Sequence, residues 1–397
     1  MGDPVNDSEP CVPILDYFKY GRNPPDYTSF SLSQGIFVTI HCIIFLMGVT
    51  GNCCVVMAIA KNRGLQTVRN FFILSLSISD MAVCTFSLPT TSYALQFKNW
   101  IFGTFLCYLI TLLQGMSIII STFTLTFISV DRYILIVHPR IRPITKRIAI
   151  LIICLVWCVG AGISMPSVVN YMVVDGSHYN RSWCGDFCVE EGWSTQAQRR
   201  MYGTAVLILQ FALPLTIIVY CYMRIITTLS RGLIVRQAKK AGSNATDRQL
   251  AALKRTQRTN KMLITMVCTF AGSWLPSILL NLLSDCNALP RFVEEQTYLW
   301  FLMAHTFAMS STLWNPIVYG FMNDSFKAAF LKLAPIRMIR QRREGILPDS
   351  ALAANVVNTG ANVDLLLLAR MNQPGSNTAQ SFIPLSRVMR QNDFDSL

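Results

Sequence analysis

Polar groups stand at a few defined places in the long apolar stretches of this chain, and the chemistry their types and spacing allow is ionic exchange. Asp131-Arg132-Tyr133 sets a carboxylate beside a guanidinium, and Asn315-Pro316-Ile317-Val318-Tyr319 sets an amide, a helix-breaking ring and a phenol close together. Groups of this kind are costly at membrane depth and mark functional elements. Pairing with Asp131 would neutralise Arg132 at rest. Once released, Arg132 could meet a partner protein, with the hydroxyls of Tyr222 and Tyr319 at similar depth to hold it. Neither a His-Glu-x-x-His spacing nor a phosphate-binding glycine loop occurs, which argues against an enzyme.

Asp80 stands in the middle of a second apolar stretch. A carboxylate there costs on the order of 2.5–3.5 kcal/mol on insertion scales, so it needs a bound cation or a proton. A sodium ion among Asp80, Ser121, Ser311 and Asn315 is the favoured compensation. A protonated Asp80 hydrogen-bonded to Asn52 and Asn315 is the alternative. Towards the other rim, Gln114 shares a face with Arg132, because eighteen residues at about 3.6 per turn complete five turns. His305 lies about three turns above Asn315, and Asp285 ends the sixth stretch. Thr91, Gln114 and His305 are expected to be the polar groups of a pocket otherwise lined by Phe, Leu and Ile. Taken singly, each is more often a helix-to-helix hydrogen bond.

Seven largely apolar stretches must position these groups: 33–60, 70–96, 104–137, 148–169, 201–229, 257–284 and 295–320. Each is long enough to cross a bilayer as a helix. Of 397 residues, 52% are hydrophobic and 14% charged, against roughly a quarter charged in soluble domains. The net charge of +13 does not point to nucleic acid, because the basic residues fall in alternate loops. Lys61 and Arg63 follow the first stretch, Arg140 and Arg142 the third, Arg231 to Lys261 the fifth, and Arg337 to Arg343 the seventh. This positive-inside pattern predicts an outer N-terminus and a cytoplasmic C-terminus. The first thirty residues show no basic start leading into a short apolar core, so no cleavable signal peptide is evident.

The fold class is an all-α membrane protein, a seven-transmembrane helix bundle with a short amphipathic cytoplasmic helix. The expected domains are an extracellular tail 1–32, the bundle 33–322, the amphipathic helix 323–334 and a disordered cytoplasmic tail 335–397. Phe326, Phe330 and Leu331 on one side of that short helix predict contact with inner-leaflet lipid. Pro89, Pro166, Pro214, Pro276 and Pro316 are expected to kink their helices. Asn6 and Asn180 head glycosylation sequons on the outer side.

Of thirteen cysteines, Cys11, Cys107, Cys184, Cys188 and Cys286 fall on the outer side, where the environment is oxidising. A bridge from Cys107 to Cys188 would pin the loop between the fourth and fifth stretches over the bundle; Cys184 is a competing partner. The remaining three allow one more bridge, tying the N-terminal tail to a loop. Acids (Asp175, Asp186, Glu190, Glu191, Asp285, Glu294, Glu295) outnumber bases (Lys98, Arg181, Arg199, Arg200, Arg291) on this side. A negative mouth attracts cationic ligands; it is also the mirror image of positive-inside topology.

In order along 33–333, these residues resemble the rhodopsin-like family of G-protein-coupled receptors. The carriers are Gly51-Asn52, Leu76 with Asp80, Trp100 with Phe102-Gly103, Cys107, Asp131-Arg132-Tyr133, Trp157, Pro214 with Tyr222, Phe270 with Trp274 and Pro276, and Asn315 to Tyr319. Within that family the chain looks like the neuropeptide Y and neuropeptide F branch, including invertebrate receptors for FMRFamide-like peptides. Here the carriers are Gln114-Gly115 with Ser117-Ile118, His305 with Ala308-Met309, Cys188-Val189-Glu190 with Trp193, and Asp285.

The resemblance implies a plasma-membrane receptor for an amidated neuropeptide, coupled to a heterotrimeric G protein of the inhibitory class and open to arrestin. It implies no cofactor beyond the structural sodium. Asp285 would pair with a ligand arginine, Gln114 and His305 would meet the amidated end, Trp274 would sense insertion and Pro276 would be the pivot of the sixth helix. Val137, His138 and Pro139 with the basic inner end of the sixth helix would form the docking surface. Ser273 replaces the usual Cys. Thr256 stands where some relatives carry an acid locking Arg132, which predicts basal signalling. A biogenic-amine receptor is the alternative, disfavoured because Gln114 stands where an amine needs an Asp. Met309 in place of a lysine excludes a retinal Schiff base.

Overall fold

The structure, a computed structural model, describes residues 11–176, 183–238 and 244–333. Asn6, Asn180 and the tail 335–397 lie outside these residues. Seven long helices carry the described chain: α1 Ser31–Lys61, α2 Val68–Phe97, α3 Gly103–Val137, α4 Lys146–Asn170, α5 Gln196–Ala238, α6 Asn244–Asp285 and α7 Thr297–Met322. The short α8 Asp324–Leu333 follows. Threonine side chains cap three of the starts: Thr67, Thr145 and Thr195 accept from the backbone N–H of Asn70, Ile148 and Gln198. Each satisfies a donor that the first turn leaves unpaired.

Six of these helices are long and apolar enough to cross a membrane. The seventh, α7, has 26 residues, about 39 Å at 1.5 Å per residue, which spans a hydrocarbon core of about 30 Å. It falls short of the others in apolarity because His305, Ser311, Thr312 and Asn315 interrupt it. All four are buried within the bundle, where Asn315 donates to Asp80 of α2. Contacts run α1–α2–α3, α3–α4, α3–α5, α5–α6, α6–α7 and α7–α1, so the bundle closes on itself.

The five prolines act in two ways. Before Pro89 and Pro214 the helix widens into a π-turn, Val83–Ser87 in α2 and Ile208–Ala212 in α5. The extra residue accommodates a ring that cannot donate and would clash with the preceding turn. Pro166, Pro276 and Pro316 instead sit inside continuous helix. At Pro316 the neighbour makes room: a Cβ on Gly51 would lie 2.9 Å from the Pro316 ring, so only glycine allows this approach of α1 to α7. Asn52 fastens the same contact, its amide donating to Gly48 O and to Thr312 O. The Trp157 indole donates to Ser75 Oγ at 2.9 Å and joins α4 to α2.

Short strands close the end of the bundle where α3 begins. Strand β2 (Tyr171–Asp175) pairs antiparallel with β4 (Asp186–Glu190), Val173 facing Cys188. Cys188 is bonded to Cys107 on the first turn of α3. The N-terminal strand β1 (Val12–Pro13) lies parallel to β3 (Trp183–Cys184), and Cys11 is bonded to Cys184. Cys286 is free and exposed. At the opposite end, α8 packs differently from the expected lipid-facing stripe. Phe326 is fully buried and stacks on Tyr319 at 5.4 Å, while Leu331, one residue beyond Phe330, is 59% exposed. The bundle, not the bilayer, claims Phe326 because the chain turns directly from α7 into α8.

Candidate functional site

Two cavities of about 340 and 300 Å3 open side by side at the disulfide end. They share Thr111, Gln114 and Tyr171 as a partition. Gln114 comes from the second turn beyond the Cys107 anchor, and Tyr171 from the first residue of the hairpin, so the Cys107–Cys188 bond fixes the partition from both sides. Burial, and next the charge of Glu190, pushes the Tyr171 phenol above its ordinary value, so it stands there as a neutral group. Volumes of this size hold small ligands or the end of a larger one.

The larger cavity lies among α3, α4, α5 and α6 and contains two carboxylates. Asp285 ends α6; Glu190 ends β4 and is held by Ser167 Oγ and the Trp193 indole, both donating to Oε1 at 3.0 and 3.1 Å. Between them lies Arg199 of α5, 3.6 Å from Glu190 Oε2 and 3.4 Å from Asp285 Oδ1. Both separations exceed the about 2.7–2.9 Å of a charge-assisted hydrogen bond, and Arg199 Nε has no hydrogen-bond partner. Deeper in, Ser164 Oγ is buried and unpartnered. It stands where a Cβ on Gly115 would come within 2.6 Å, so Gly115 is what makes room for it against α3. The floor reaches Ile278, one turn from Trp274.

The smaller cavity contains Thr91, whose Oγ1 accepts from Gln114 Nε2 at 3.1 Å. The structure thus brings Thr91, Gln114 and Asp285 to one end of the bundle, with Gln114 common to both chambers. His305 does not join them. It lines neither cavity and packs edge-on against His41 of α1, ring centres 6.1 Å apart. Ten residues from Asn315 advance the helix by about 1000°, some 80° short of three turns, which is enough to take His305 off the expected face.

A strap formed by residues 11–30 covers the α1–α2–α7 side. Its Asp26 pairs with Lys98 at 3.4 Å, both side chains essentially unexposed. Lys98 also donates to Thr28 Oγ1 and Ser29 Oγ and sits over the rings of Tyr298 and Phe18. Burial pushes the Lys98 ammonium below its ordinary value, and Asp26 opposes this. Gln296 ties down the strap by accepting from Tyr27 N and donating to Pro25 O.

In mid-bundle Asp80 is buried, and Asn315 Nδ2 donates to its Oδ2 at 2.9 Å. Ser121 and Ser311 are buried too, but among the described residues neither is hydrogen-bonded to Asp80. Asn52 is committed to α7 instead. At the far end, Arg132 Nη2 donates to Asp131 Oδ2 at 2.7 Å and its Nε to the same oxygen at 3.2 Å. Tyr133 and His138 share a hydrogen bond of 3.1 Å, which fixes the loop after α3. Tyr222, Phe270 and Trp274 are buried, the last two rings 6.3 Å apart. The Trp274 indole and the Tyr319 hydroxyl have no partner.

Sequence reasoning places Arg199 only among the outer bases, and Glu190 among the outer acids and in Cys188-Val189-Glu190; their meeting with Asp285 joins elements far apart in the chain, and no local pattern encodes it. Ser164 is hidden for the same reason, although Gly115 beside Gln114 is a usable signal of close helix approach.

The model of the 7 transmembrane receptor (rhodopsin family) matches residues 51–319. Neuropeptide receptor npr-1 of Caenorhabditis elegans is 31% identical over 79% of this chain and 75% of its own length. Neuropeptide Y receptor type 4 of Rattus norvegicus is 32% identical over 78% and 84%, and neuropeptide FF receptor 2 of the same animal 31% over 80% and 75%. With seven helices, an Asp-Arg pair at one end and a disulfide-roofed cavity at the other, the chain belongs to the rhodopsin family of seven-transmembrane, G-protein-coupled receptors and is not an enzyme.

Proposed function

We propose that this receptor binds an amidated peptide ending in Arg-Phe-amide and drives nucleotide exchange on a heterotrimeric G protein, of the inhibitory class. The observation that carries the reading is the pair of carboxylates, Glu190 and Asp285, already occupied by a guanidinium held beyond hydrogen-bond distance. The ligand arginine replaces Arg199 there with shorter bonds. Its amide end meets Gln114, and its ring fills the apolar floor at Ile118, Phe211 and Ile278. Names of the relatives, which are neuropeptide receptors, support the ligand class.

The disulfide end faces outward in this reading, because its two bridges need an oxidising compartment and the opposite loops carry the excess of Lys and Arg. Insertion above Trp274 moves α6 about Pro276, Arg132 leaves Asp131, and the unpartnered Tyr319 hydroxyl and that of Tyr222 receive it. Arrestin engages the same opened face. A sodium ion held by Asp80 with Ser121, Ser311 and Asn315 belongs to the resting state. Asp80 is a buried carboxylate with one neutral donor, and among the described residues no basic side chain forms an ion pair with it. When bound, the ion would neutralise that carboxylate.

A charge cycle tests the ligand pose. Asp285→Ala should weaken an Arg-Phe-amide peptide by about 1.5–3 kcal/mol, roughly 10- to 150-fold. The peptide carrying citrulline in place of arginine should lose little more on the same variant. An unchanged midpoint, or losses that simply add, would reject the pairing.

A further inference from the structure

Other helical glycines of this chain let two helices touch or face open space. A Cβ on Gly51 would meet the Pro316 ring and one on Gly115 would meet Ser164, while Cβ atoms on Gly35, Gly162 and Gly272 would meet nothing within 4 Å. Gly203, two turns into α5, does neither. A Cβ there would stand 3.3 Å from Asp285 Oδ2, and among the described residues it would meet nothing else within 4 Å outside its own stretch of helix. Glycine inside a helix is less favourable than alanine, because it has more backbone freedom to lose. Gly203 has no positive φ to require it. What its missing side chain makes room for is a carboxylate of the larger cavity.

The placement has a direction. Gly203 follows Arg199 by four residues, so the two share one face of α5, with Gly203 about 6 Å deeper in the bundle. Both line the larger cavity. Asp285 lies over this face, its Oδ1 3.4 Å from Arg199 Nε and its Oδ2 against Gly203. One oxygen is thus held by the resident cation at the rim, and the other reaches towards the chamber floor. The neighbouring Tyr202 keeps α5 from turning aside for a bulkier residue. Its hydroxyl donates to Ile163 O at 2.8 Å, and its ring packs on Trp193, centres 5.2 Å apart.

From this we infer that Gly203 is a positioning residue for peptide binding: its bare backbone lets the Asp285 carboxylate settle onto α5, with Oδ2 low enough to meet a ligand guanidinium. The inference rests on the arginine pairing proposed above and adds what sets the reach of the acid. A methyl group at 203 lifts Oδ2 away from the chamber. A charge-assisted hydrogen bond, short and directional, loses strength when its acceptor is displaced.

The test is competition binding on the full chain in phosphatidylcholine nanodiscs, with an Arg-Phe-amide peptide and its citrulline analogue. The parent should prefer arginine by at least about tenfold, the scale of a hydrogen bond to a charged group. Gly203→Ala should weaken the arginine peptide by about three- to tenfold, part of that bond, and leave the citrulline peptide unchanged. Gly203→Val should weaken the arginine peptide further. Added to Asp285→Ala, Gly203→Ala should cost nothing more, since it acts through that acid alone. Thermal unfolding without peptide should show Gly203→Ala at least as stable as the parent, alanine being the better helix former. Full arginine preference in Gly203→Ala, equal weakening of both peptides, or a less stable Gly203→Ala would each overturn the role of Gly203 and leave the pairing intact. A parent chain that does not distinguish the two peptides would instead overturn the pairing, and this inference with it.

Discussion

The Lys98–Asp26 pair and the Arg199–Glu190–Asp285 cluster occupy the same end of the bundle, and they are built to opposite specifications. Lys98 is sealed from solvent, with two hydroxyls accepting from it and two rings beneath it. Arg199 is 34% exposed, holds two carboxylates at 3.4 and 3.6 Å and leaves its Nε without a hydrogen bond. A cation sealed in a dry place beside its counter-charge is fixed, since removing its partner strands a buried charge. A half-solvated cation shared between two acids gains little from either and is replaceable. The first closes the α1–α2–α7 side with the N-terminal strap; the second lines the cavity on the α3–α6 side.

Removing the carboxylate of the sealed pair should have the largest effect. Asp26→Asn leaves Lys98 buried and unpaired, so thermal unfolding of the purified protein should show a loss of about 3–5 kcal/mol. Adding Lys98→Met should restore most of it; a single variant as stable as the parent would erase the distinction drawn above. Glu190→Gln comes next. It keeps an oxygen for Ser167 and Trp193 but removes the charge facing Arg199, and competition binding should show an Arg-Phe-amide peptide weakened by about tenfold, or 1.4 kcal/mol. Arg199→Ala has the smallest effect and the most telling sign. Freeing both acids should tighten the peptide by about 1.4- to fivefold, the ~0.2–1 kcal/mol scale of an exposed pair. Weaker binding would make Arg199 a ligand contact rather than a resident competitor.

Much of this is legible in the sequence. Lipid allows backbone to cross only as closed hydrogen-bonded elements, so the spans announce themselves, and Asp131 and Arg132 pair because they are adjacent. Thr91 and Gln114 meet in a helix-to-helix hydrogen bond, the alternative that the sequence leaves beside a shared pocket, and the leftover-cysteine argument anticipates a tether from the N-terminal tail to a loop. Legibility ends where rotation or long-range meeting decides. His305 misses the cavity by a fraction of a helical turn. The π-turns before Pro89 and Pro214 insert a residue and shift every face beyond them, which periodicity cannot register. Phe326 turns inward because α8 starts directly under Tyr319. The tail and the sequons at Asn6 and Asn180 fall outside the described residues.

Cys184 and Cys188 are neighbours in one small hairpin, but their partners lie 173 and 81 residues earlier in the chain. A ribosome delivers Cys11 and Cys107 well before either rightful partner exists, and through that interval the two early thiols are available to each other. The roof of the receptor is therefore joined by its last-made piece, after four helices have been threaded. Thiol exchange, which takes seconds to hours, then becomes a step in maturation, and the yield of working copies depends on the isomerases of the secretory route as well as on the membrane.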